Sequence, residues 1–420
     1  MQSENVPGVV DHLFRREAGK MVSYLTKLFG VGRLNLAEDV VQDTLCQALQ
    51  SWPVHGFPDN PSAWLMRAAR NRAIDLVRRG EHFRELTPEL SALFDERDED
   101  QEAEVSFDRE LRDDQLSMMF SCCHPELSTD VQVTLILKTL CGFSVAEIAN
   151  ALFASEEAIE KRLGRARQFL RESGTFVKIT AGPEIRARLE AVYQAIYLLF
   201  NEGYHASQSE RAVREDLCYE ALRLALILSE HPESARPKTF ALVSLFCLNA
   251  ARLPGRVDAD GLLLQLSEQD RTQWDPKLIA LGFHYLERSA TESELSEFHI
   301  EAAIASMHSG ARSFADTNWT KIRDLYELLY SLRPTPIVAL NRAIALGNAE
   351  GPERGLEELE LVPDVDKLKD YPFFPAAQGE FLRQAGRREE ARRYFARAFE
   401  LARNPAEGRF LKAKLAACTN

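Results

Sequence analysis

Apolar residues recur at three- and four-residue spacing along nearly the whole chain, with no convincing run of alternating β-branched residues, so the pattern predicts an all-α protein. Two interruptions divide it. From Pro88 to Asp114 the text becomes acidic and irregular (PELSALFDERDEDQEAEVSFDRELRDD), the composition of a solvated linker. Between Gly174 and Gly182 the periodicity lapses again. The expected organisation is a small helical domain over 1–87, an acidic linker over 88–114, a second small domain over 115–175 and a helical extension over 176–420.

In the first domain, winding Asn35 to Ser51 at 100° per residue puts Val41, Leu45, Ala48 and Leu49 on one face. Asp39, Gln42, Asp43, Cys46 and Gln50 share the other, which is acidic and polar. Phosphates would be repelled there, so a partner of this face would be a protein, and a basic one. The helix from Ser62 to Arg79 differs. Leu65, Met66, Ala69, Ala73, Leu76 and Val77 line its core side, while Trp64, Arg67, Asn71, Asp75 and Arg78 gather opposite, flanked by Arg70 and Arg79. Arginines hold a phosphate backbone while an indole stacks on an unpaired base, the means by which single-stranded DNA is gripped without a deep pocket. Between the two helices, WPVHGFPDN (52 to 60) carries two prolines and a glycine that should stop either helix from running through. A stiff loop beside such a helix is suited to holding a flipped base, with His55 and Phe57 as candidates.

The second domain contains SVAEIANALFASEEAIEKRLGRARQFLRE (144 to 172). Ser144 and Ser155 are placed to cap two helices across a tight turn, the pattern of a helix-turn-helix. On the second helix Ile159, Leu163, Ala166 and Leu170 face inward, and Glu157, Lys161, Gly164, Arg165 and Gln168 face outward, flanked by Arg162, Arg167 and Arg171. Glycine costs about 1 kcal/mol in a helix interior relative to alanine. Close approach of the Gly164 backbone to a DNA groove would supply a reason for it.

Composition narrows the classes. The chain has 420 residues, 45% hydrophobic and 27% charged, which is globular and enough for two to four domains. A net charge of -13 argues against a protein that coats nucleic acid and confines any DNA contact to the two basic helices. Seven cysteines form no CxxC pair or zinc spacing, consistent with a reduced, cytoplasmic chain. Cys122, Cys123 and His124 lack further ligands nearby, so no metal or cofactor is expected. The start lacks a signal-peptide pattern, and the longest apolar stretch, Thr239 to Ala251, is too short to cross a bilayer. No acid, base and nucleophile set converges, so the chain is not expected to be an enzyme. An operator-binding regulator with a helical sensor is the alternative, but it leaves the acidic helix and the Trp-Arg helix unexplained.

AEDVVQDTLCQAL (37 to 49), PSAWLMRAARNRAIDLVRR (61 to 79) and the helix-turn-helix, in that order across a linker, resemble the extracytoplasmic-function group of bacterial RNA polymerase sigma factors. The resemblance implies a region 2-like domain that binds core polymerase and melts promoter DNA, and a region 4-like domain that reads the upstream element. It further implies that the acidic face docks on the β′ clamp helices, that the Trp-Arg helix and its loop capture the non-template strand, that the linker occupies the polymerase active-site and RNA-exit channel, and that the β subunit is a further partner. Phe153, Glu160 and Gly164 depart from the family pattern of the turn and recognition helix. In the extension, Gly379, Leu382, Gly386, Ala391, Phe395 and Ala398 resemble a tetratricopeptide repeat, and Pro334 and Pro405 lie about two such roughly 34-residue periods apart. The extension is similar to that of sigma factors thought to control themselves through it. Any ligand of it is unknown. Asn201, Glu202, Tyr204 and His205 either line a site or mark a helix ending at Gly203.

Overall fold

The computed structural model describes residues 6–79, 112, 114–152, 154–173, 183–206, 212–290 and 295–418, and most of the 88–114 linker, like Phe153, lies outside them. Among the described residues the secondary structure is helical, apart from one isolated bridge between Val257 and Leu263.

The first domain holds α1 (Val6–Phe29), α2 (Leu34–His55) and α3 (Pro61–Arg79), packed on one another. The second holds a helical stretch at 114–122 followed by α4 (Thr129–Thr139), α5 (Val145–Ala151) and α6 (Glu156–Ser173). The extension begins with α7 (Pro183–Tyr204), α8 (Glu215–Glu230), α9 (Pro237–Ala250), α10 (Pro276–Ser289) and α11 (Glu297–Gly310). It continues through α12 (Trp319–Leu332), α13 (Pro336–Glu350), α14 (Pro352–Glu360), α15 (Phe373–Gln384), α16 (Arg388–Glu400) and α17 (Pro405–Ala417).

Two compact units emerge, and the division falls within α7. One comprises residues 1–199 with 230–234, the other residues 200–229 with 235–420. In the second unit most consecutive helices pack pairwise from α9 onward. Proline opens α9, α10, α13, α14 and α17, where its missing N–H costs nothing because the first turn has no intrahelical acceptor for it. At one of the two expected marks it is Pro336 rather than Pro334 that begins the helix. The repeat-like unit forms the α15–α16 hairpin. Gly386 takes φ 79° in its turn, and Gly379 lets Phe395 approach to a distance a Cβ would reduce to 3.2 Å. Leu382, Ala391, Phe395 and Ala398 are buried there with Phe410 and Leu411 of α17.

Two expectations are corrected. The helix predicted to stop at Ser51 runs on through Trp52 and Pro53 to His55. Proline there removes a single hydrogen bond in the final turns, and the true stop is Gly56, whose φ of 85° turns the chain while its N–H bonds the Trp52 carbonyl. Gly203 does not terminate α7 either, since the helix includes Tyr204. A Cβ at Gly203 would stand 2.7 Å from the Cys218 backbone nitrogen and 2.9 Å from the Arg214 carbonyl. This glycine serves close packing of α7 on α8.

Candidate nucleic-acid interface

On α2, Val41, Leu45 and Ala48 are buried as their phase dictates, whereas Leu49, expected inward, is 40% exposed at the edge of the stripe. Asp39, Gln42, Asp43, Cys46 and Gln50 form one exposed row. Asp43 accepts hydrogen bonds from Arg72 of α3, the shorter at 3.0 Å, so part of the acidic row is tied to the neighbouring helix. Cys46 is the exposed thiol. Cys122, Cys123, Cys141, Cys218, Cys247 and Cys418 are buried.

The turn after α2 is organised by a residue that sequence reasoning passed over. Trp52 is 2% exposed, with its ring 5.4 Å from Phe57 and 5.5 Å from Trp64. The only local signal beside it is Pro53, and nothing in the spacing marks the tryptophan as the centre of the turn. The cluster holds Trp64 half-buried, edge-on to Trp52, and leaves Phe57 and His55 exposed. Asn60 caps α3 by accepting from the Ala63 N–H at 3.0 Å. Arg67 and Asn71 are exposed and Arg70 is half-buried, along the same helix. The side chains of Arg78 and Arg79 lie outside the described residues.

Both predicted caps of the helix-turn-helix form. Ser144 and Glu147 make a reciprocal capping box, and Ser155 Oγ accepts from the Ala158 N–H at 3.3 Å. Ile159, Leu163, Ala166 and Leu170 are buried beneath α6. Glu157, Lys161, Gly164, Arg165 and Gln168 face out, with Lys161 paired to Glu157 at 2.6 Å and Gln168 to Glu172 at 3.0 Å. A Cβ at Gly164 would meet nothing within 4 Å, so no protein contact requires this glycine.

Arg162 and Arg167 behave differently from the rest of the basic row. Arg162 lies 3.6 Å from Asp130, and Arg167 donates to Glu38 of α2 at 2.7 Å. The second pair joins the two front domains, which are docked on one another. A Cβ at Gly19 of α1 would run into the Leu140 carbonyl oxygen, and one at Gly32 would lie 3.4 Å from the Arg171 Cα. Lys27 pairs with the buried Asp114 at 2.9 Å. Burial pushes the Glu38 carboxyl above its ordinary range despite the opposing pull of Arg167 and Lys138. Desolvation therefore outweighs attraction, the usual outcome when an ion pair is taken out of water.

Among the described residues no group of three metal-ligating side chains is present. Burial holds the Cys122 thiol at about 12 and pushes Cys123 well above its usual value, so both stay protonated and unreactive. No helix among the described residues is long and apolar enough to cross a membrane.

An exposed acidic helix, a tryptophan-arginine helix and a capped helix-turn-helix, in this order, define the class of RNA polymerase sigma factors. Residues 13–82 match sigma-70 region 2, residues 117–170 match sigma-70 region 4, and residues 188–290 match a family of unknown function (DUF6596). The chain is 37% identical over 389 residues to the uncharacterized protein R00370 of Rhizobium meliloti, covering 91% of this chain and 90% of that one. It is 32% identical over 168 residues to the ECF RNA polymerase sigma factor SigL of Mycobacterium tuberculosis, covering 38% of this chain and 85% of SigL. No solved structure matches. The chain belongs to the extracytoplasmic-function sigma factors and carries a helical C-terminal extension. It is thus a DNA-binding initiation factor for core RNA polymerase, in a family that is not enzymatic.

Proposed function

We propose that this sigma factor works in the cytoplasm from a closed resting state in which its two promoter-reading domains occupy each other, and that the extension sets how readily it opens. The observation that carries the reading is the Glu38–Arg167 pair: an arginine of the recognition helix spends its charge on a helix whose exposed face is suited to polymerase. In the open state, Asp39, Gln42, Asp43, Cys46 and Gln50 dock on the β′ clamp helices, the linker occupies the active-site and RNA-exit channel, and the β subunit is a further partner. His55, Phe57, Trp64, Arg67, Arg70, Asn71, Arg78 and Arg79 hold the melted strand. Ser155, Glu157, Lys161, Arg162, Gly164, Arg165, Arg167 and Gln168 meet the upstream duplex, where steering by phosphate contacts precedes any reading of bases.

Control by the extension is supported by Arg188 of α7, which donates to the Phe120 carbonyl at 2.9 Å and so ties the first extension helix to the second domain. The test is run-off transcription with purified core polymerase and a library of promoter fragments. Wild type initiates, Asp39→Ala/Asp43→Ala loses initiation through lost polymerase affinity, and Arg165→Ala weakens promoter binding by roughly 1–3 kcal/mol. Specific duplex binding without initiation by the wild type would overturn the reading in favour of an operator-binding regulator.

A further inference from the structure

The second unit contains a buried cluster in which two arginines lack a carboxylate partner among the described residues. Arg252 follows α9, Arg256 closes the short turn Leu253–Gly255, Trp274 precedes α10, Tyr204 ends α7, and His308 lies in the last turn of α11. Arg256 is 6% exposed. Its guanidinium lies 3.6 Å above the Tyr204 ring and donates to the Tyr204 carbonyl at 3.1 Å. The Arg252 guanidinium lies 5.4 Å from the Trp274 ring.

The hydrogen-bond account does not close. The Nε of Arg252, the Nε of Arg256, the Trp274 Nε1 and the His308 Nδ1 are all buried without a partner. Among the described residues no carboxylate pairs with Arg252 or Arg256. Burial lowers the Arg252 guanidinium from its ordinary value and the charge of Arg256 lowers it further, with the Tyr204 and Tyr326 phenols nearby. The neighbouring Arg271 shows what a satisfied arginine looks like here, donating to the His308 carbonyl at 2.5 Å and the Ala311 carbonyl at 2.8 Å with Asp316 nearby. Burial, with Arg252 and Arg271, brings His308 down to about 3, so it is neutral and adds no charge. At Tyr204 burial alone would raise the phenol, yet the charges of Arg252 and Arg256, with a hydrogen bond between the hydroxyl and Arg256, draw it down.

Buried cations are retained only when paired, and buried donors only when hydrogen-bonded. In a chain of net charge -13, this cluster is not a by-product of general basicity. We propose that it binds a small oxyanion, the phosphate or carboxylate group of a metabolite, with Arg252 and Arg256 as counter-charges and the Tyr204 hydroxyl and Trp274 N–H as directional donors. The near-complete burial of Arg256 and Trp274 limits the ligand to a small molecule. The site lies within the extension and does not depend on how the front domains act.

The test uses the full chain, titrated calorimetrically and melted in sodium phosphate or sodium succinate against sodium chloride at constant ionic strength. Saturable one-to-one binding of at least one anion is expected, with a matching rise in Tm. A response to phosphate alone assigns a phosphate ligand, and one to succinate alone a carboxylate ligand. Arg252→Gln should weaken binding roughly tenfold to a hundredfold, the worth of a charged hydrogen bond, yet melt no lower than wild type in chloride, because it removes a cation without a counter-ion. Arg256→Gln should weaken binding similarly. If Arg256→Gln does not fold, the half-buried Arg252 decides. Absence of saturable heat with either anion would mean that water alone fills the cluster and would overturn the proposal, as would unchanged affinity in Arg252→Gln. Lost transcription with intact anion binding would count against the initiation reading only.

Discussion

Glu38 is caught between opposing effects: removal from water, the largest, raises its carboxyl, while Arg167 and Lys138 lower it, and Asp39 adds a smaller upward push. Since the balance is upward from 4.5, the folded chain holds this proton more tightly than the unfolded chain. The stabilisation Glu38 contributes is therefore complete below its ordinary value and lost as pH rises through its raised value. Thermal melts on the acidic side of neutrality should show wild type losing stability with rising pH relative to Glu38→Gln; parallel curves would refute the assignment. Arg167 was legible as an arginine flanking the outward face of a recognition helix. Its partner was not, because no periodicity connects residues 38 and 167. The arginine cluster was invisible for the same reason, being drawn from separate elements, and of its members only Tyr204 attracted notice in the sequence.

Elements were read better than the contacts between them, since capping and facial burial depend on neighbours within a turn or two. Ser144 and Glu147 illustrate this, and Ser144→Ala should cost about 1 kcal/mol by urea unfolding, measured against Ser155→Ala as a second cap. Where the reading failed, a local signal was given too much weight. Pro53 suggested a break, but helices tolerate a proline in a final turn when the stop signal is a glycine just beyond. Gly203 suggested a stop, but here the missing side chain makes room for α8. Gly203→Ala should cost about 1–3 kcal/mol through overpacking, because the Cβ meets backbone at 2.7 Å rather than a movable side chain. A neutral result would refute the close packing of α7 on α8 at this position.

For the molecule as a whole, closure of the front domains makes a geometric prediction. Because a Cβ at position 32 would stand 3.4 Å from the Arg171 Cα, Gly32→Cys/Arg171→Cys places two thiols within reach of a disulfide. The oxidised protein should fail to initiate and recover with reductant, whereas activity unaffected by oxidation would rule out opening as a required step. Truncation needs equal care: a cut after Phe176 removes Arg188 from the Phe120 carbonyl, so it disturbs the second domain as well as deleting the extension. The uneven distribution of cysteines gives the experimenter a natural handle. With six thiols buried and Cys46 exposed, a maleimide dye should modify the native protein at one position, in the middle of the acidic row of α2. The emission of that dye would report polymerase capture directly, and a bulky adduct there would act as a reagent that switches the factor off without any change to its gene.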